Sequence, residues 1–321
     1  AGFLSFVTEY EPSLLSRADW PLRGHLPSAP SSIWPDFGIA MLRSDESPAY
    51  WTEGHAIAVL QRMTQSYSHG HEDAFGITLH GAGRLLYPDY NYIQYENPSL
   101  GWTRNAVAHN TVVVDGKEPK STPPTDIRSD FSPDVKFLAT SASGVFAGVD
   151  QTRALMLTKD YLLDFFHSAS KVPQTYDYLL HSFGRPRPER TRSFARTNNL
   201  GPRYEAIQET RATTVNDDWR FDFVLDEEAL REHERRVMTA SLAKKKKKRL
   251  KKVHYGDEWY KHTATARVTM AGAPNTDVTY GVGPDGLTVL VARRTQATQS
   301  LFTVVHEPFA GSDEPEVHKT S

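Results

Sequence analysis

The stretch SHGHEDAFGITLHGAGRLLYPD, residues 68–89, decides how the rest of the chain is read. Phe75, Ile77 and Leu79 alternate with Ala74, Gly76 and Thr78, the period of two that gives a strand one apolar face. Gly81-Ala82-Gly83 offers a tight reversal, and Arg84 to Asp89 reads as the returning strand. Centring the hairpin on Ala82 sets Asp89 opposite Phe75, at the sheet end that His71 enters. His109 precedes the apolar run NTVVV and is expected to converge on the same end. Two imidazoles, one carboxylate and an open position suit a divalent metal such as zinc. Ordinary surface or core roles account for such residues equally well, because HxH-x17-D-x19-H is not a general zinc spacing. A cupin-like barrel also begins with HxH, but its Glu follows within a strand, where Glu72 does not lie.

Short apolar runs continue in both directions, at 37–44, 56–63, 110–116, 145–152, 154–169, 177–184, 264–271, 278–282, 286–294 and 299–307. GAG, DG and PDG turns separate several of them. That rhythm predicts a mostly β fold, an antiparallel β-sandwich of the two-sheet supersandwich kind. Residues 1–35, rich in Pro and Ser and carrying Trp20 and Trp34, show no sustained period and read as a linker or the remnant of an upstream helical domain. Residues 36–321 then form one β domain, interrupted at about 226–262. The interruption holds the clearest helical pattern, DEEALREHERRVMTASLAKKKKKRLKK at 226–252, an inserted helix or basic arm.

Composition narrows the chemistry. The 321 residues contain no Cys, which removes disulfides, thiolate zinc sites and cysteine nucleophiles. A formal charge of -2 hides an asymmetry: KKKKKRLKK at 244–252 is basic at all positions but one, so the remainder is acidic. The run could attract a sulfated or uronate polymer, although most Lys runs are solvated arms. No apolar stretch is long enough to span a bilayer, and the opening residues lack the order of a signal peptide. Nucleic-acid signatures, a phosphate-cradling Gly-rich loop and a G-x-S-x-G elbow are all missing.

The segment 68–89, followed by a Tyr-rich stretch and then AHNTVVVDG at 108–116, resembles the heparinase II/III-like polysaccharide lyases, a group that includes oligoalginate lyases. The ordered set HGHxD, D, Tyr-x-x-Tyr and AHNTV carries the resemblance. It continues loosely through DYLLDFFHSAS (160–170) and DYLLHSFG (177–184), and is weak beyond about residue 190.

The resemblance implies an N-terminal α/α toroid beside a C-terminal sandwich, with substrate in the cleft between them. It implies that His71, Asp89 and His109 hold a largely structural zinc, while His69 and a loop Tyr face the substrate. Tyr95 stands at the family spacing from Asp89, but the local sequence PDYNYIQY leaves Tyr92 open as the alternative. The implied reaction is β-elimination of a uronic-acid glycan: the carboxylate is neutralised, the C5 proton removed and the C4 oxygen protonated. Tyr and His suit those transfers because they do not repel the substrate carboxylate. Arg104 and Asn105 are candidates to bind that carboxylate or a sulfate; packing and surface pairing are the commoner fates of such Tyr and Arg residues. A whole family member would place some 300 further residues of toroid before the sandwich, so the expected partners are an acidic polysaccharide or oligosaccharide and a helical domain in cis or in trans. No nucleic acid and no membrane span are expected, a homo-oligomer is left open, and the resemblance implies a secreted or periplasmic bacterial protein. The other reading is a non-catalytic carbohydrate-binding or structural sandwich that keeps the metal.

Overall fold

The structure is a computed structural model that describes residues 26–52, 54–64, 70–89, 100–197, 200–231 and 262–311. It is mostly β, built from two antiparallel sheets. The first is a meander of β1 (Ser32–Trp34), β2 (Ile39–Arg43), β3 (Ala58–Arg62), β4 (Ile77–Gly81) and β5 (Arg84–Tyr87), paired in that order. Its strands alternate as the sequence predicts: Ala40 and Leu42 on β2, and Ile77 and Leu79 on β4, are buried while their neighbours are half-buried. The sheet begins at Ser32, inside the stretch read as linker.

Two long strands organise the second sheet, β10 (Leu162–Ser182) and β17 (Thr288–Ala310), which run antiparallel along most of their length. Their outer halves pair with β9 (Val149–Leu157) and β15 (Ala264–Met270). Beyond β9 lie β8 (Lys136–Ser143) and β7 (Asp126–Phe131), and beyond β15 lie β14 (Trp219–Leu225) and β11 (Arg185–Pro188). The inner halves pair with β6 (Val112–Val114) and with β16 (Thr276–Val282), which leads to β13 (Gln208–Val215) and β12 (Ala195–Arg196). Register shifts between Ala169 and Tyr176 bend β10 where the two halves meet.

These long strands alter the expected segmentation. The run 154–169 divides at a turn in which Thr158 N–H bonds the Tyr161 carbonyl. The pairs 154–169 with 177–184, and 286–294 with 299–307, prove to be pieces of β10 and of β17. Strands β7, β8, β13 and β14 fall where no apolar run was read. Helix starts at 227–231, at the head of the expected insertion; the rest of it, including the Lys run, lies outside the described residues.

One buried core joins the sheets, with Leu42, Phe75 and Tyr87 from the first side and Phe166, Tyr178, Phe223 and Phe302 from the second. Tyr87 meets Phe223 and His306 edge-on, at 5.9 Å and 5.4 Å between ring centroids. Strand β5 therefore lies against β10 and β15.

Candidate metal centre

The β4–β5 hairpin turns on two residues, not three. Ala82 and Gly83 both have positive φ, 49° and 69°, and Gly81 pairs directly with Arg84. Two left-handed residues give the primed turn that matches strand twist. The pairing then slips between His80–Leu85 and Leu79–Tyr87, leaving Leu86 as an extra residue. The register centred on Ala82 is thereby corrected: continued past Tyr87, it aims Asp89 toward Ile77 rather than Phe75. The predicted convergence nonetheless occurs: Asn110, the residue after His109, bonds both Ile77 and Pro88, the residue before Asp89.

His71, Asp89 and His109 stand together, with one potential ligand atom from each lying within 4.8 Å of the others. Asp89 Oδ1 is 2.8 Å from His109 Nδ1 and 3.6 Å from His71 Nδ1, and the two imidazole rings are 5.0 Å apart at their centroids. His109 is buried, His71 nearly so and Asp89 half-buried. Burial pushes the Asp89 carboxyl up, but His109 and then His71 outweigh it and hold that carboxyl well below its usual range. Burial likewise opposes charge on His109, and Asp89 overcomes it, raising the imidazole above its ordinary value. A mixed nitrogen and oxygen set this compact fits a divalent cation such as zinc, whose ligand bonds run at roughly 2.0–2.2 Å.

The sequence motif A-H-N-T explains how His109 is placed. Asn110 Nδ2 donates to the carbonyls of Ile77 and Pro88, at 2.9 Å and 3.0 Å, while its Oδ1 accepts the His181 N–H at 2.7 Å. Thr111 Oγ1 donates to the Ala74 carbonyl at 2.7 Å. One short segment thus ties the ends of β4 and β5 to β10, with His109 between them. Asn110 and Thr111 carry the signal for this role in the motif, beyond the metal ligand expected at His109.

Glu72 is turned to a different task. Its Oε2 accepts the Ala106 N–H at 3.1 Å and pairs with Arg203, while its own N–H bonds the Arg104 carbonyl. Arg104 and Asn105 are held beside the His71 segment by this contact. The Arg104 side chain is exposed, and Asn105 is half-buried at the start of the 3-10 turn Ala106–Ala108. His69, Tyr92 and Tyr95 lie outside the described residues.

Residues 27–151 match the family model described as Heparinase II/III-like, C-terminal, a span that contains the whole His71–Asp89–His109 group. No curated protein matches the chain. Among solved structures, the heparan sulfate lyase HepC from Pedobacter heparinus is similar at a TM-score of 0.55 and 13% identity, over 98% of this chain and 42% of that one. A structure described as Heparinase III gives a TM-score of 0.51 at 13% identity, over 89% of this chain and 38% of that chain. Another, described as the heparinase III BT4657 gene product, gives 0.50 at 12% identity, over 95% and 40%. At such identities the likeness is one of fold. The chain spans about two fifths of the length of these structures.

Proposed function

We propose that this chain is the sandwich portion of a polysaccharide lyase that cleaves uronic-acid glycans by β-elimination, its cleft completed by a helical domain in cis or in trans. The observation that carries the reading is the meeting of His71, Asp89 and His109 within the segment that matches the heparinase II/III-like model. No helix among the described residues is long and apolar enough to cross a membrane. A periplasmic or secreted location is part of the same reading.

A bound zinc would act as a structural tie, joining the chain after β5 to the segments on either side of it. His71, Asp89 and His109 would hold it, and it would fix the position of Asp89, the residue from which the chain continues toward Tyr92 and Tyr95. Elimination breaks the C5–H and C4–O bonds and forms a C4=C5 double bond. The C5 proton passes to a basic side chain, and the departing C4 oxygen takes up a proton. Tyr95 is assigned to proton transfer, with Tyr92 as the alternative, and His69 to orienting it or acting from the opposite face. Arg104 is assigned to the substrate carboxylate or a sulfate; its exposure and the bond from Glu72 N–H to its carbonyl, beside the His71 segment, support that reading. Asn105 would add an uncharged hydrogen bond.

The test is incubation with alginate, heparan sulfate, chondroitin and ulvan while following the ultraviolet absorbance of the conjugated unsaturated uronate. The chain is assayed alone and with a helical domain supplied by a relative. A rise lost in Tyr95→Phe supports the assignment. A rise unchanged in that variant removes Tyr95 from catalysis. Binding of these polymers with no rise in any combination favours a non-catalytic carbohydrate-binding sandwich.

A further inference from the structure

Asp73 lies two residues from His71 and is 3% exposed. One of its oxygens, Oδ2, is 3.3 Å from Arg62 Nε. The other, Oδ1, is buried with no hydrogen-bond partner. Across the same small cleft, lined also by Arg62, Asp89 and Asn110, stands His109, whose Nε2 is likewise buried and without a partner. Buried polar atoms are nearly always satisfied, so two beside one cleft require an explanation. The ion pair with Arg62 accounts for Oδ2 only.

The two orphan atoms are complementary. His109 Nδ1 is the nitrogen that faces Asp89 and the metal position. If Nδ1 gives its lone pair to a metal, the ring proton must reside on Nε2, which becomes a donor. Asp73 Oδ1 is an acceptor that lacks a donor. Metal-bound imidazoles commonly hand this second N–H to a carboxylate, directly or through water, which fixes tautomer and ring orientation.

The backbone around Asp73 is built with strain. Gly76 N–H bonds the Asp73 carbonyl at 2.8 Å, closing a turn in which Phe75 adopts φ 58°. An aromatic residue in the left-handed region persists only where its surroundings enforce it. Here Arg153 donates to the Phe75 carbonyl at 2.6 Å, and the Phe166 ring meets Phe75 at 5.7 Å. A Cβ at Gly76 would lie 2.8 Å from the Asp73 carbonyl oxygen, so the turn also requires that glycine.

We propose that Asp73 is a positioning residue of the metal centre: its Oδ1 accepts the Nε2–H of His109 through a water in the shared cleft, setting the tautomer that frees Nδ1 for the metal. The inference rests on the reading of His71, Asp89 and His109 as metal ligands. Asp73 acts through His109 and touches neither metal nor substrate.

The full chain, stripped by chelator, is titrated with Zn2+ against a chromophoric competitor, for wild type, His71→Ala and Asp73→Asn. Asp73→Asn is expected to weaken zinc roughly 10–100-fold, while the metal-free protein melts within a few degrees of wild type. In the Co2+ form, proton NMR is expected to show a shifted exchangeable imidazole N–H that Asp73→Asn loses. Zinc binding unchanged in Asp73→Asn but lost in His71→Ala overturns the role of Asp73 and leaves the metal site standing. A metal-free Asp73→Asn chain that melts far below wild type makes Asp73 structural and also overturns it. Wild-type protein that binds no zinc removes the metal reading itself, and this inference with it.

Discussion

The molecule contains two buried clusters built from the same kinds of residue, and they differ in one respect. In the large sheet, Arg153 of β9, Asp164 and Tyr178 of β10 and His306 of β17 are fully or almost fully buried, joined by Tyr87 of β5. Arg153 grips both oxygens of Asp164, at 3.0 Å and 2.5 Å, and its remaining nitrogen donates to the carbonyls of Phe75 and Asn110. Tyr178 O–H donates to Asp164, and each ring nitrogen of His306 has a tyrosine hydroxyl at 3.1–3.2 Å. That network is closed. The cluster of His71, Asp73, Asp89 and His109 has a carboxylate oxygen and an imidazole nitrogen with no partner. A closed polar network holds a fold together, whereas an open one at the edge of a cleft is suited to receive something. The two meet at Asn110, whose carbonyl takes the Arg153 hydrogen bond and whose side chain supports the strand ends that carry the open site.

The largest expected effect tests whether the closed cluster is scaffold. Arg153→Ala leaves Asp164 buried without its main countercharge, and Phe75 and Asn110 without their donor. A loss of about 3–5 kcal/mol in urea unfolding is expected, with saturating zinc failing to restore it. A loss under about 1 kcal/mol would make the network dispensable. The open cluster should behave in reverse. His71→Ala removes a 3.6 Å contact to Asp89 and a tilted ring contact with His109 from the metal-free protein, so its metal-free stability is expected to fall by about 1 kcal/mol. Zinc affinity, measured by competition, is expected to drop by about 100-fold or more. If His71→Ala instead destabilises the metal-free chain as strongly as Arg153→Ala, the distinction between the clusters collapses.

The open cluster was legible in the sequence, and the closed one was not. HGHED, PD and AHN stand out because chemistry-bearing residues are dense along the chain there, and a hairpin of predictable period helps bring His71, Asp89 and His109 together. Its register was misplaced by local detail: alternation alone cannot reveal that Ala82 takes φ 49° or that Leu86 is an extra residue. Arg153, Asp164 and His306 come from three strands, the last two far apart in the chain, and each sits in an otherwise ordinary apolar run. No spacing rule reaches that far, and only the pairing of β10 with β17 makes them neighbours. The long strands themselves were read as fragments because Lys171-Val172-Pro173-Gln174 and Thr295-Gln296-Ala297-Thr298 look like loops, while the strands cross them on bulges. Asp73 and Asn110 lay inside the quoted motifs; their roles became visible only with the hydrogen bonds around them.

A more gradual effect is a pH slope carried by two buried histidines, His306 inside the closed network and His181 beside Asn110. His306 is held below the ordinary imidazole value by burial, which Asp164 only partly offsets. His181 is lowered to about 3, by burial first and by His109 next. In the unfolded chain both titrate near the usual value of about 6.5. Below that pH the unfolded chain takes up protons that the folded chain refuses, so stability falls as pH falls. For His181 the slope is on the order of 1.4 kcal/mol per pH unit and continues down to about pH 3, and His306 adds to it in the same direction. Above about pH 7 neither group contributes a slope. Melting of the metal-free chain is therefore expected to shift down steadily between about pH 6.5 and 4.5. The same shift should persist in His71→Ala, because neither His181 nor His306 needs the metal ligand to stay neutral. A flat profile over that range would mean that these two imidazoles are protonated in place, and a network that accepts a proton on His306 without loss is not closed.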